Sequence, residues 1–367
     1  MLYRDAYIQN GYVMADSGEV TFDVNLRDPI SELWFYFNNT NGATHNVANF
    51  LAECISAIEI IDGSKVLCSL DGRQALALAC FEMGAMPYQV VSELPGNPVE
   101  FAVPIRFGRW LYDPDLAFDP TRFLNPQIRV KWDMAAINAV GATGYLSDYG
   151  RLTIIAKVME GGASPTGLLV PKEQYSFTSA ASGITYIDLP TDYPYRSLLI
   201  RAAKASSYWD QILSHLKLNC DAEKYIPFDL DGFDFLFNSL RENGRFSYRH
   251  VFHAKTGDTI YPLLKYEENV NLISEQFNDC VFMYPNYGYG NAAITMYVAG
   301  AASSNYNNVG AMVQGSCPFG YAFNPFGEPT DPSTWFPAAQ FKSVRLELTN
   351  ATADATADVV SVQAMPY

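Results

Sequence analysis

The same tripeptide occurs twice in the chain, as Leu70-Asp71-Gly72 and as Leu230-Asp231-Gly232. Each copy precedes a segment of helical character, at residues 73–83 and 233–240. An Asp in front of a helix can accept hydrogen bonds from the free N–H groups of the first turn. The two copies are offset by 160 residues (231 minus 71), which suggests that the chain contains an internal repeat.

Further matched elements precede each tripeptide in the same order. Short apolar or aromatic runs with strand character, and one proline, occur in both halves of the chain. The two members of each matched pair are 158 to 165 residues apart. Alternation of apolar side chains at period two is typical of strands. The matched elements are residues 20–22 and 184–186, Pro29 and Pro194, residues 33–37 and 198–200, and residues 58–62 and 216–219. Asp71, Gly72, Asp231, Gly232, Pro29 and Pro194 therefore serve as markers of the repeat.

Length and composition favour two β domains. The chain has 367 residues, and a single hydrophobic core stops growing at roughly 250 to 300 residues. Its 24 Tyr and 23 Phe favour strands, because aromatic side chains pack well on a pleated surface. We predict an all-β fold with a few short helices, made of two tandem eight-stranded jelly-roll β-sandwiches. The predicted parts are a first jelly roll with an N-terminal arm at 1–160, a linker rich in Gly and Pro at 161–171, and a second jelly roll at 172–367.

The repeat is accompanied by two further segments, YIDLPTDYPY at 186–195 and VSVQAMPY at 360–367. Together they resemble the double-jelly-roll major capsid proteins of tailless, membrane-containing icosahedral bacterial viruses, which are related in architecture to the adenovirus hexon. The resemblance implies a structural protein of the virion shell that is made in the host cytoplasm and is not an enzyme. It implies homotrimeric, pseudo-hexagonal capsomers that assemble into a capsid lattice, with a vertex (penton) protein and an internal viral membrane as partners. A trimer of two-barrel subunits presents six similar sides, which suits a nearly hexagonal net.

Two regions are candidates for contacts in such a shell. Leu2, Tyr3, Tyr7 and Ile8 have a rough helical spacing, and by resemblance this arm faces the membrane or neighbouring subunits. A frayed terminus is the alternative. Segments rich in Tyr, Asn and Gly at 284–291 and 303–314 are expected to be loops that form towers and inter-subunit contacts.

The sequence offers little for catalysis or for metal and cofactor binding. The pair His250 and His253 would point to opposite faces of a strand, and the chain has no H-x-H, H-E-x-x-H, G-x-S-x-G or P-loop pattern. The six cysteines form no C-x-x-C pair and are expected to be small buried hydrophobes. Carboxylate groups such as Asp113 with Asp115, or Asp229 with Asp231, are expected to cap turns. We predict no catalytic, metal or cofactor site.

The charge and the chain start bear on partners. A net charge of -15 with no Lys/Arg cluster disfavours direct nucleic-acid binding. The start lacks the features of a secretory signal, and no run approaches about 20 apolar residues. The alternative function is a carbohydrate-binding or carbohydrate-active double β-sandwich, in which Trp110, Trp209 or Trp335 would stack on sugar rings. The lack of an export signal disfavours this alternative.

Overall fold

The structure is a computed structural model that describes residues 2–44, 46, 50–136, 144–205, 207–255, 259–260, 267–274, 280–285, 292–297 and 306–367, with side chains described outside 252–311. Strands predominate in this part of the chain. The strands are β1 (Leu2–Met14), β2 (Ser17–Asp23), β3 (Ile30–Thr40), β4 (Ile55–Asp62), β5 (Lys65–Leu70), β6 (Gln89–Ser92), β7 (Pro98–Arg106), β8 (Pro126–Asp133), β9 (Gly150–Glu160), β10 (Gly167–Thr178), β11 (Gly183–Leu189), β12 (Tyr195–Ala203), β13 (Leu213–Cys220), β14 (Asp229–Asp231), β15 (Phe246–Lys255), β16 (Thr259–Ile260), β17 (Glu267–Ser274), β18 (Cys280–Pro285), β19 (Ala292–Tyr297), β20 (Tyr306–Ser316), β21 (Tyr321–Pro325), β22 (Val344–Asn350) and β23 (Thr356–Pro366). The α-helices are α1 (Gly72–Met83), α2 (Trp209–Ile212) and α3 (Gly232–Asn243).

The first half of the chain forms two facing sets of four strands, in the orders β1-β9-β3-β7 and β2-β8-β4-β5. Side chains alternate between the core and the outer surface. Leu33, Phe35 and Phe37 of β3 point inward and are fully buried, whereas Trp34 and Tyr36 between them are partly exposed. Alternation of this kind buries one face of each sheet against the other.

The second half repeats this order strand for strand, as β10-β23-β12-β21 and β11-β22-β13-β14. The helices repeat too, since α1 follows β5 and α3 follows β14. Eight strands in two four-stranded sheets with these crossovers form a jelly roll. The predicted all-β fold with two tandem jelly rolls is therefore confirmed.

The two jelly rolls share sheets at their junction. β5 pairs in parallel with β10 through Ser69 and Lys172. β6 pairs in parallel with β15, which begins a long insertion between α3 and β21. The division of the chain into two domains at 1–160 and 172–367 stays a prediction.

The Leu-Asp-Gly repeat has a steric reason. Leu70 ends β5, Asp71 is the N-cap of α1, and Gly72 is its first residue. A Cβ atom on Gly72 would lie 2.2 Å from the carbonyl oxygen of Ala52, and one on Gly232 would lie 2.0 Å from that of Leu213. Both helices therefore begin against the backbone of the turn or strand before them, where only glycine fits.

Three details of the predicted organisation are wrong. Residues 167–171 of the predicted linker belong to β10, because Leu168 and Leu169 are buried and pair with β23. The arm that contains Leu2, Tyr3, Tyr7 and Ile8 is not helical, because β9 pairs with residues 2–14 from end to end. Residues 306–314 of the second predicted loop lie in β20, which β15 pairs over ten residue positions from Phe246 to Lys255. Residues 284–285 of the first predicted loop end β18, and residues 286–291 lie outside the described residues.

Candidate assembly surfaces

Each of the two histidines with described side chains contacts a different carboxylate. His215 Nε2 lies 2.9 Å from Asp229 Oδ1 at the surface, and the buried His250 Nε2 lies 3.3 Å from Glu93 Oε1. His45 and the side chain of His253 lie outside the described residues. Among the residues that the structure describes, no three His, Cys, Asp or Glu side chains form a group that could hold a metal ion.

The described cysteine side chains are all buried, namely Cys54, Cys68, Cys80, Cys220 and Cys317. Burial raises the pKa of the Cys54 thiol to about 12 and that of Cys220 to about 11. Since the thiolate is the reactive form, the thiols of Cys54 and Cys220 are unreactive at neutral pH. The side chain of Cys280 lies outside the described residues.

The carboxylates of Asp113, Asp115 and Asp229 have basic partners. Arg109 Nε lies 2.6 Å from the buried Asp113, and its Nη2 lies 2.5 Å from Asp115. Burial by itself would raise the pKa of Asp113, but the hydrogen bonds from Arg109 outweigh it and the pKa is lowered. Asp229 contacts His215 and Lys217. The lowered pKa keeps Asp113 ionised, whereas a general acid needs a raised pKa.

Two of the three tryptophans of the carbohydrate alternative are buried and cannot stack on a sugar. Trp209 and Trp335 are 0% and 2% exposed. Trp110 is exposed, but the Arg109 guanidinium lies 4.3 Å from its ring centroid. The prediction that these residues could stack on sugar rings is therefore wrong for Trp209 and Trp335.

The helix α1 lies between the two jelly rolls and is buried on both sides. Towards its own jelly roll it contacts β7 and β4. Towards the second jelly roll, Phe81 stacks on Phe323 with ring centroids 4.9 Å apart. Gln74 Nε2 donates to Asp358 at 3.3 Å, and Glu82 forms an ion pair of 2.7 Å with Arg196. This helix therefore joins the two halves through apolar and buried polar contacts.

Asp358 is the most buried acid of this junction. Arg201 Nη1 lies 3.6 Å from it, and the Tyr321 hydroxyl donates to it at 2.7 Å. Burial raises the pKa of Asp358 to about 6, and the charge of Arg201 opposes this rise without cancelling it. The junction therefore contains an acid that titrates near neutral pH.

The helix α3 occupies the corresponding place in the second jelly roll but has an open outer face. It buries Phe235, Leu236 and Ser239, which lie towards its own jelly roll. Phe233 and Phe237 are 56% and 52% exposed and stack on each other with centroids 6.4 Å apart. Two adjacent exposed phenylalanines form an apolar patch of the kind found at interaction sites.

The outer face of the sheet β1-β9-β3-β7 has a partly exposed apolar row beside a row of charged residues, in which Glu32 pairs with Arg106 and Lys157 pairs with Asp5. Trp34 and Tyr36 of β3 and Ile155 of β9 are partly exposed on it. Tyr7 of β1 lies opposite Ile155 and is 64% exposed. β1 itself is the edge strand of its sheet.

The predicted repeat markers lie in corresponding places. Pro29 directly precedes β3, and Pro194 directly precedes β12. Asp71 caps α1 by accepting a 2.7 Å hydrogen bond from the Gln74 amide, and Gln74 Oε1 accepts one from the Asp71 amide. Asp231 has the same position before α3, but its side chain makes no capping hydrogen bond in the described structure.

Residues at the junction were missed by the sequence reasoning. Arg196 and Arg201 stand within the buried strand β12, and Asp358 stands within β23. A charged residue inside an apolar run is the available signal, because such a residue needs a partner when it is buried. The partners Glu82 and Gln74 lie more than 100 residues away, so the pairs themselves follow only from the fold.

Solved structures of viral capsid proteins are similar to the chain over its length. The crystal structure of the STIV MCP has a TM-score of 0.59 at 10% identity, covering 100% of this chain and 97% of that chain. The major capsid protein P2 from Bacteriophage PM2 has a TM-score of 0.56 at 11% identity, covering 100% and 98%. The PBCV-1 virus capsid has a TM-score of 0.59 at 11% identity, covering 99% and 93%. The chain has the double-jelly-roll fold of these capsid proteins.

Other comparisons add no relative. No protein-family model matches the sequence, and no curated protein matches it. Within the described residues, no helix is long and apolar enough to cross a membrane.

Proposed function

We propose that the chain is the major capsid protein of a tailless icosahedral virus and acts as a structural subunit without enzymatic activity. The observation that carries this proposal is the full-length match of both jelly rolls, with their shared junction, to capsid proteins. The protein is located in the capsid shell of the virion. The bacterial host implied by the sequence resemblance is part of the proposal.

The subunit forms homotrimeric, pseudo-hexagonal capsomers. Two jelly rolls with the same strand order give each chain two similar sides, so three chains close into a ring of six. Apolar patches on α3 and on the outer β1-β9-β3-β7 sheet face supply surface for such contacts.

The arm residues Leu2, Tyr3, Tyr7 and Ile8 contact a neighbouring subunit or an internal viral membrane. Leu2 and Tyr7 are exposed by 71% and 64%, and they lie on an edge strand whose outer backbone groups can pair with another chain. A vertex protein closes the shell at its fivefold positions, where a six-sided capsomer does not fit.

Electron microscopy of virus particles that contain this chain tests the proposal. We expect an icosahedral shell of hexagonally arranged capsomers, each fitted by three copies of the double jelly roll, over an inner lipid layer. Particles in which the chain is a minor component outside the shell would contradict the capsid function. A shell without lipid would contradict only the membrane partner.

Binding of carbohydrate is the weaker candidate, because Trp209 and Trp335 are buried in the two cores. A glycan-binding measurement with the purified chain would separate the two functions.

A further inference from the structure

The repeat allows residues of the two jelly rolls to be equated through their strand pairing. Trp34 pairs with Ile155 across β3 and β9, and Leu199 pairs with Val360 across β12 and β23. The next pair points into the core in both jelly rolls. This pair is Phe35 with Ile154 in the first and Ile200 with Val359 in the second. Trp34 and Ile155 are therefore the counterparts of Leu199 and Val360 on the outer sheet face.

The counterparts differ in burial. Leu199 and Val360 are both 0% exposed and belong to the same buried cluster as Phe81 of α1. Trp34 and Ile155 are partly exposed. The outer sheet face of the second jelly roll is thus covered by a helix of the first, while the same face of the first jelly roll is partly exposed.

The two helices show the complementary difference. At the offset of 160 residues, Phe233 corresponds to Arg73, Asp234 to Gln74 and Phe237 to Ala77. Gln74 and Ala77 are buried, and Gln74 contacts Asp358 of the second jelly roll. Asp234 and Phe237 are exposed. The face of α3 that carries the two phenylalanines is the face that α1 uses to bind the next jelly roll.

We propose that α3 of one chain packs on the outer β1-β9-β3-β7 face in the first jelly roll of a second copy of the chain. Phe233 and Phe237 then cover Trp34, Tyr36 and Ile155, as α1 covers Leu199 and Val360 within the chain. The number of copies, three, is taken from the proposed function. The new element is the pair of surfaces through which neighbouring copies make contact. Internal and external contacts alternate around the ring, so the helix-on-sheet contact occurs six times in a trimer.

The occupant is a second copy because each open surface has its complement on the same chain. A two-fold symmetric contact would place α3 against α3, or one sheet face against the same sheet face of the other copy. It would not place the helix of one copy on the sheet of the other. The contact is instead head-to-tail, and such contacts form closed rings when the rotation between copies closes. The internal junction shows that a helix of this repeat fits on a sheet of this repeat.

The first test replaces both phenylalanines. We expect Phe233→Ser/Phe237→Ser to keep the circular dichroism spectrum of the folded chain, since both side chains are exposed, and to lose trimer at least tenfold at micromolar concentration in native mass spectrometry. The matched control is Ile184→Ser/Tyr186→Ser on β11, where the side chains are 47% and 56% exposed. We expect this control to remain trimeric. A trimer that persists unchanged in the phenylalanine variant overturns the proposal.

The second test identifies the partner surface. Gln74 contacts Asp358, and the counterparts of these residues are Asp234 and Thr153, because Arg201 pairs with Asp358 as Tyr36 pairs with Thr153. We expect Asp234→Cys/Thr153→Cys to form dimers and trimers with a short bismaleimide in denaturing electrophoresis. The control is Asp234→Cys/Leu124→Cys, which places the second thiol on a 99% exposed residue that the repeat does not bring to α3. Cross-linking no stronger than in this control overturns the proposal.

The outcomes separate the two claims. A wild-type trimer without the α3 cross-link leaves the capsid function standing and rejects this interface. A folded wild-type chain that stays monomeric at every concentration rejects the trimer, and the interface falls with it.

Discussion

The helices α1 and α3 begin in the same way and end in different surroundings. Both start with Asp-Gly after the end of a strand, and both glycines lie against a backbone carbonyl. α1 is buried nearly all round, whereas α3 buries one face and exposes Phe233 and Phe237. The shared features are therefore those needed by one jelly roll, and the differing features belong to the contact with the next one.

The largest effect is expected at the ion pair that joins α1 to the second jelly roll. Glu82 and Arg196 have side chains only 6% and 8% exposed. Glu82→Ala leaves Arg196 buried without this carboxylate, which should lower the free energy of unfolding by roughly 3 kcal/mol, the lower end for a broken buried pair. Urea unfolding of the purified chain measures it.

Glu242 is the matched control, because it is the counterpart of Glu82 at the offset of 160 residues and lies exposed beside Arg241. Glu242→Ala should change the unfolding midpoint little. Equal losses in the two variants would mean that the internal junction does not depend on this pair.

The glycines should behave alike in both helices. Gly72→Ala and Gly232→Ala each place a Cβ atom about 2 Å from a carbonyl oxygen. We expect each to cost about 2 to 3 kcal/mol, within the upper range for single substitutions. The control Gly63→Ala has open space around the new Cβ but a φ of +59°, so a cost of about 1 kcal/mol is expected. Thermal melts that rank Gly63→Ala as the most harmful would contradict the steric account.

The pH dependence should differ between the two outer sheet faces. Asp358 lies on the covered face, and Thr153 is its counterpart on the open face. The pKa of Asp358 is raised from 3.8 to about 6, so its contribution to stability is complete below about pH 4 and is lost as the pH rises through 6. From pH 5 to pH 7, the wild-type chain should lose about 1 kcal/mol of unfolding free energy relative to Asp358→Asn.

Chemical unfolding at several pH values measures this difference. Six residues surround this acid, and all of them remain in the variant. They are Asp71 at the N-cap of α1, Arg73 and Gln74 of α1, Arg201 of β12, Tyr321 of β21, and Glu173, which also contacts Gln74. A difference that stays constant from pH 5 to pH 7 would show that Asp358 is already ionised at pH 5 in the folded chain.

The smallest effect concerns the caps. Asp71 makes a complete capping box with Gln74, whereas Asp231 accepts no capping hydrogen bond in the described structure. Asp71→Ala should cost about 1 kcal/mol, and Asp231→Ala should cost only a few tenths. Equal costs would show that Asp231 caps α3 in solution.

The repeat itself could be predicted because each element has a local signature. The aromatic run at 33–37, the alternation at 58–62 and the glycine after Asp71 all reflect contacts within one jelly roll. The arm could not be assigned from spacing, because β9, which holds residues 2–14 in a strand, lies about 150 residues further along the chain. The junction could not be predicted either, since Glu82 and Arg196 form an ion pair only when the two folded halves are in contact.

Native mass spectrometry of the recombinant full-length chain across a micromolar concentration series tests the central claim most directly. We expect a stable species of about 122 kDa, which corresponds to three chains of 40.8 kDa. A folded chain that remains at the mass of one or two copies at every concentration would contradict it.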